Sequence, residues 1–303
     1  MNIEIRTFQT NGIISLVEFT ADYANSIDYI SGSTAMDTNL IEVKEINQSG
    51  SVNNIVIVNK SNHFVFFSDG DIISGAKQNR IFNTSVFIAP NSTNEIPVSC
   101  VEQGRWNNVS IKFSSNSHSA PASLRAIKSD QVCKNLELEN KHLTQQSKIW
   151  KYVEGISSEM SIESPTQNLT DVYLNKDNNF NSFIQSFRPT TSANGLSLFI
   201  KKNLLSFEIF NKSDIYLEYF DKLLKAVALD AYHLKEDEDK LKEAEAVYKT
   251  NTFFDELDNR EFQLFPGVAL GQEKRFKSSD LFGLILNYEN HLIHLTALST
   301  HKN

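Results

Sequence analysis

Ile81-Phe82-Asn83-Thr84-Ser85-Val86-Phe87-Ile88-Ala89 and Ile96-Pro97-Val98-Ser99-Cys100-Val101-Glu102 are two runs rich in β-branched and aromatic residues, separated by the turn-forming segment Pro90–Glu95. Such runs read as strands joined in a hairpin. The expected register sets Ile88 opposite Ile96, Val86 opposite Val98, Thr84 opposite Cys100 and Phe82 opposite Glu102. Side chains alternate along a strand, so all of these share one face, apolar at the turn and polar at the far end. Glu102 ends that face and needs a cation, because an unpaired buried carboxylate is costly. Arg80, diagonal to it, is the first choice; Arg105 and Lys77 are the alternatives.

The same pattern extends in both directions. Ile3–Arg6 and Ile13–Val17 flank Asn11-Gly12, a strong hairpin signal. Ile41–Val43, Asn54–Val58, Phe64–Phe67 and Val109–Phe113 complete a strand-rich first third. After Ser117 the character becomes helical, with Pro121 at a helix start, where its missing N–H costs nothing. The helical reading runs on through Trp150, interrupted by the polar stretch 135–146. Shorter helical segments fit 166–174 and 181–187. A hairpin returns at Leu196–Ile200 and Leu204–Phe210. Leu217, Phe220, Leu224, Val227 and Ala231 then mark one face of a helix that opens at Ser213. The mixed-charge run Lys235–Lys242 reads as a solvated extension of that helix. Leu281–Leu286 and Leu292–Leu298 form a last hairpin. The expected fold is α+β: a β-rich sandwich or curled sheet, followed by helices and two further hairpins able to join the first sheet. One domain over residues 1–303 is expected, with 129–146 as a helical or polar insertion.

Composition narrows the function. The chain has 303 residues, a net charge of −8 and a hydrophobic fraction of 40%. It supports a sizeable core but argues against a broad nucleic-acid surface, which needs clustered Lys and Arg. Cys100 and Cys133 are the two cysteines, too few for a disulfide framework or a cysteine zinc site. The N-terminal residues do not form a signal peptide, and no apolar run is long enough to span a membrane, so a cytoplasmic location is expected. No cofactor motif appears. No metal site is expected either: His291 and His294, three apart on a strand, point to opposite faces.

Polar density is greatest in Gly75-Ala76-Lys77-Gln78-Asn79-Arg80 and in Glu102-Gln103-Gly104-Arg105-Trp106. Lys77, Arg80 and Arg105 suit phosphates, Asn79 and Glu102 suit ribose hydroxyls, and Trp106 suits a base, with Gln78 and Gln103 beside them. Gly75 and Gly104 would let the backbone approach a ligand. The competing reading is an ion-pair and amide network that fixes a tight turn. Cys100 reads as a small buried residue, and Asp69 and Asp71, flanking Gly70, as turn chemistry. Gly271–Arg275 follows a glycine turn and reads as a cleft-lining or solvated loop.

Residues 75–80 and 96–106 resemble the core motifs of the ARPP-1 domain family, whose name refers to association with ADP-ribosylglycohydrolase and rhodanese-phosphatase proteins. The resemblance implies proximity to ADP-ribose and NAD metabolism, often in conflict or defence settings. The expected activity is sensing or sequestration of an ADP-ribose-like or NAD-derived nucleotide through Lys77, Gln78, Asn79, Arg80, Glu102, Gln103, Arg105 and Trp106. The alternative is a hydrolase or transferase acting on an ADP-ribose derivative, with Glu102 as general base.

Overall fold

A computed structural model describes residues 2–22, 27–235, 240–257 and 259–300. Strands β1 (Ile3–Asn11) and β2 (Ile14–Ala21) form the first hairpin, with Gly12 at φ +60° in the connection. β3 (Tyr29–Ser31), helix α1 (Gly32–Asp37), β4 (Ile41–Glu45), β5 (Asn54–Asn59), β6 (Phe64–Phe67) and β7 (Asp71–Gly75) follow. Next come β8 (Arg80–Phe82), β9 (Val86–Ile88), β10 (Ser92–Cys100) and β11 (Phe113–Ser119). The helical section comprises α2 (Ala122–Glu139), α3 (Gln146–Glu159), α4 (Leu169–Asn175) and α5 (Asp177–Ile184). After β12 (Gly195–Ile200) and β13 (Asn203–Phe210), helices α6 (Ser213–Ala231) and α7 (Glu243–Leu257) precede β14 (Gln263–Pro266), β15 (Gln272–Lys277), β16 (Leu281–Tyr288) and β17 (His291–Ser299).

The fold is α+β. An 8-stranded sheet runs β1-β2-β12-β13-β17-β16-β15-β14, so both late hairpins extend the first one. A 6-stranded sheet runs β11-β7-β8-β10-β5-β4, and a 3-stranded sheet β3-β6-β9. β14, which carries Pro266, lies at an edge, where the missing N–H breaks no ladder. The main core draws on both ends of the chain, from Ile14 and Leu16 to Ile293 and Leu298. Helix α6 joins the sheets by packing on β11 of one and on β12 and β13 of the other. Its buried Ile215, Tyr216, Tyr219, Phe220, Leu223, Leu224 and Val227 recur at helical spacing.

The hairpin register differs from the expectation. Val98 faces Phe82, Ser99 faces Ile81 and Cys100 faces Arg80, while Val86–Ile88 pairs with β6 in another sheet. The N-terminal part of β10 pairs instead with β5, Ile96 opposite Ile55. The physical reason lies in Asn83-Thr84-Ser85, which breaks the run into two strands. Thr84 Oγ1 donates to Glu273 at 2.8 Å, and Ser85 Oγ is 2.8 Å from His294 Nδ1, so both hydroxyls are committed elsewhere. The shift is even, so Arg80, Phe82, Val98 and Cys100 still share a face. Glu102 lies past the strand, in a bridge to Asn168.

Segment 129–146 is the second half of α2 and its link to α3, packed on one face and exposed over residues 137–141. Gln131, Val132, Cys133 and Leu136 are buried, and Gln146 pairs with Cys100, accepting from its N–H at 2.8 Å and donating to its carbonyl at 2.7 Å. The solvated-helix reading of Lys235–Lys242 is not met where it is described. α6 stops at Ala231 and Leu241 is buried; residues 236–239 lie outside the described residues.

Candidate functional site

The two motif segments meet. Glu102 is the centre of the knot: its Oε2 accepts from Asn79 N–H at 3.0 Å and Arg105 Nη2 at 2.6 Å. Its Oε1 accepts from Arg105 Nε at 2.8 Å and Thr166 Oγ1 at 2.9 Å. The cation of Glu102 is therefore Arg105, not Arg80. Burial would raise the Glu102 carboxyl, but Arg105, the Asn79 amide and Thr166 together hold it below the usual carboxylate range. Arg105 also donates to the carbonyls of Ala76 at 2.6 Å and Asn107 at 3.0 Å. Asn79 Oδ1 accepts from Gly75 N–H at 2.9 Å, and Gln78 Nε2 donates to the Glu102 carbonyl at 2.6 Å.

Arg80 is fully buried. It donates to the Ser51 carbonyl at 3.1 Å and Gln78 Oε1 at 3.0 Å, lies 3.5 Å from Glu45 Oε1, and contacts Cys100 Sγ. Cys100 packs as a buried residue, as expected. The glycines admit the chain itself rather than a ligand. A Cβ on Gly75, at φ +115°, would sit 2.6 Å from Ser110 Oγ, and one on Gly104 would sit 2.9 Å from Thr166 Cα.

Gln78, Asn79, Arg80 and Glu102 are thus buried, whereas Lys77, Gln103, Arg105 and Trp106 reach the surface. Trp106 is 41% exposed, with Lys77 Nζ 5.4 Å and Arg80 Cζ 5.6 Å from its ring centroid. These are cation–π distances. The result is a rigid polar frame beneath an accessible indole and ammonium.

A second polar centre was missed in the sequence. Arg125 on α2 lies 3.3 Å from Asp69 and donates to Glu208 at 2.7 Å and to Thr296 at 2.9 Å. Lys128, one turn on, pairs with Asp69 and donates to the Phe82 carbonyl at 2.6 Å. Arg275 pairs with Glu273 at 2.7 Å, and His142 Nε2 lies 3.0 Å from the same carboxylate. Asp71 accepts from Lys222 at 3.2 Å and from Tyr219. Asp69 and Asp71 are therefore turn residues and buried ion-pair partners at once. Gly271–Arg275 is not a solvated loop: it runs into β15, with Glu273 and Arg275 fully buried, while Gly271, Gln272 and Lys274 line a surface pocket that contains none of the knot residues. The signal was present in the spacing. Glu273 and Arg275 are two apart on a strand, and Arg125 and Lys128 three apart on a helix, so each pair shares a face. Burial lowers Lys128 to about 8 against the opposing pull of Asp69. Every charge here has a partner, so this seam holds the sheets together.

His294 is buried on β17 against Ser85 and Glu208, away from His291. Among the described residues no group of three or more His, Cys, Asp or Glu is arranged to hold a metal. No helix among them is long and apolar enough to cross a membrane.

A three-sheet α+β protein with a Glu–Arg–Asn knot capped by an exposed tryptophan is the class these features define. Residues 2–298 match the ARG and Rhodanese-Phosphatase-superfamily-associated Protein domain, ARPP-1, and the chain belongs to that family. No curated protein and no solved structure matches it.

Proposed function

We propose that this chain is a binding protein for a nucleotide-type small molecule related to ADP-ribose or NAD, which it senses or sequesters in the cytoplasm, in a conflict or defence setting. The ligand surface is the accessible edge of the knot: Lys77, Gln103, Arg105 and Trp106. The observation that supports it is the exposed Trp106 indole with Lys77 Nζ 5.4 Å from its centroid, on a frame that cannot easily move. An indole offers a stacking surface to any base, worth about 1–3 kcal/mol per base, and the ammonium meets phosphate as a point charge. Gln78, Asn79, Arg80 and Glu102 serve the ligand indirectly, by fixing that edge.

Binding is favoured over hydrolysis or group transfer by the state of Glu102. Both of its oxygens are engaged and Arg105 keeps it ionised, which suits an anchor better than a base near neutral pH. The test incubates the purified protein with NAD, ADP-ribose and cyclic ADP-ribose, then separates bound and free species by chromatography after denaturation. Recovery of an intact ligand supports the reading. Recovery of a cleaved product points to the enzyme, and absence of both bound ligand and cleaved product rejects both.

A further inference from the structure

Away from the knot, α2, α3 and the start of β16 border an open pocket of about 660 Å³, and a second lobe of about 410 Å³ adjoins it. Ile127, Tyr152 and Thr300 line both lobes, so Tyr152 stands between two parts of one cleft. The combined size and mostly apolar walls, including Ile127 and Phe282, are those of small-molecule sites.

The polar groups in the cleft are not distributed evenly. In the larger lobe Lys148 and Lys151 lie one turn apart on α3, and neither forms an ion pair among the described residues. Gln131, only 3% exposed, lines the same lobe. Its Oε1 accepts from Gln145 N–H at 2.5 Å, which fixes the amide orientation and leaves Nε2 as a buried donor without a partner among the described residues. Such a donor costs free energy unless something in the site accepts from it. Asp130 also lines this lobe but is paired with Lys134 at 2.6 Å, so the two ammonium groups and the amide donor leave the lobe suited to an anion.

The smaller lobe carries the opposite chemistry. Asp230 accepts from the N–H of Ser123 at 3.3 Å and from its hydroxyl, capping α2, whose own Ncap provides no side-chain bond. Ser123 Oγ is 2.7 Å from Tyr152 OH, and His233 and Glu159 pair at the rim at 3.4 Å. Hydroxyls and carboxylates there suit the hydroxyl groups of a sugar.

We infer that this cleft is a second ligand site, which takes a phosphorylated nucleoside-type molecule with its phosphate against Lys148, Lys151 and Gln131 and its sugar toward Tyr152 and Ser123. The site shares no residue with the Trp106 surface and does not depend on it. Bound phosphate completes the hydrogen bonding of Gln131, and the apolar wall covers the ring system.

Calorimetric titration of the intact protein with AMP, adenosine and inorganic phosphate tests this. AMP binds more tightly than either fragment. The Lys148→Ala/Lys151→Ala double variant, altered at two exposed positions, loses roughly tenfold or more in AMP affinity. Gln131→Glu keeps the acceptor for Gln145 N–H, removes the donor and repels the anion, so it weakens AMP in the same direction. In a Trp106→Ala background, which removes the stacking surface of the knot, AMP still binds and the double-lysine change still weakens it. The inference is overturned if AMP does not bind, if the double-lysine variant binds it as tightly as the parent, or if Trp106→Ala alone abolishes it. The last result would transfer the ligand to the knot surface and leave that reading intact. Should Gln131→Glu fail to fold, the lysine variant carries the test alone.

Discussion

Glu102 and Arg105 form the pair on which the knot depends. Their two short hydrogen bonds, 2.6 and 2.8 Å, bury a carboxylate that has no other cation within its hydrogen-bond shell among the described residues. Removing Arg105 leaves that carboxylate uncompensated, a situation that typically costs about 3–5 kcal/mol. Arg105→Ala is therefore expected to lower the urea midpoint sharply, whereas Trp106→Ala, at a 41% exposed position, is expected to move it little. Equal destabilisation by the two would contradict the assignment of Arg105 to the knot as well as its edge, and of Trp106 to the edge alone. At this scale the sequence was partly legible. Seven polar residues and a tryptophan in two short segments announced a cluster, and Arg105 was already an alternative partner for Glu102. Their assignment to buried and exposed roles was not legible, because it depends on Thr166, Asn168 and Ser110, which arrive from other parts of the chain.

Among the elements, local patterns were read well and long-range pairings poorly. The Asn11-Gly12 turn, the hairpins at 196–210 and 281–298, and the α6 stripe all stand, because each is encoded within about twenty residues. The register of β10 is set by competition among β5, β8 and β9, which no local alternation reveals. Helix α7 and β14 carry no signal that the sequence reading used, and the start of β15 reads as a loop, since Glu273 and Arg275 look like surface residues until their partners are known. The β7–β8 turn offers a test at this scale. Gly75 combines φ +115° with a contact that Ser110 Oγ cannot yield, because it is bonded to Ala76 N–H at 2.8 Å and the Lys112 carbonyl at 2.7 Å. Gly75→Ala should destabilise by about 1–3 kcal/mol, measured by chemical denaturation. An unchanged midpoint would show that the turn is not held as described.

Across the whole molecule, the buried charge seam ties α2 and both large sheets together. Its acid sensitivity follows from Glu273. Burial alone would raise this carboxyl, but Arg275, His142 and Thr84 bring it down to about 2 from an ordinary 4.5. A folded-state value below the unfolded one adds stability that is present above about pH 4.5 and is lost as pH falls toward 2. The difference corresponds to about 3 kcal/mol for this fully buried group. Glu273→Gln should be less stable than the parent at pH 7, with the gap closing on titration to pH 2–3. A gap that stays constant with pH would mean that packing, not charge, makes the residue matter.

The central claim, that an accessible edge on a rigid frame receives a nucleotide, is tested most directly by titrating ADP-ribose calorimetrically into the parent protein, Lys77→Ala and Trp106→Ala, with thermal melts alongside. Saturable binding by the parent, lost or weakened at least tenfold in both variants while their melting temperatures stay close to the parent's, is the predicted result. Undiminished binding in both variants, or none in the parent, would contradict it.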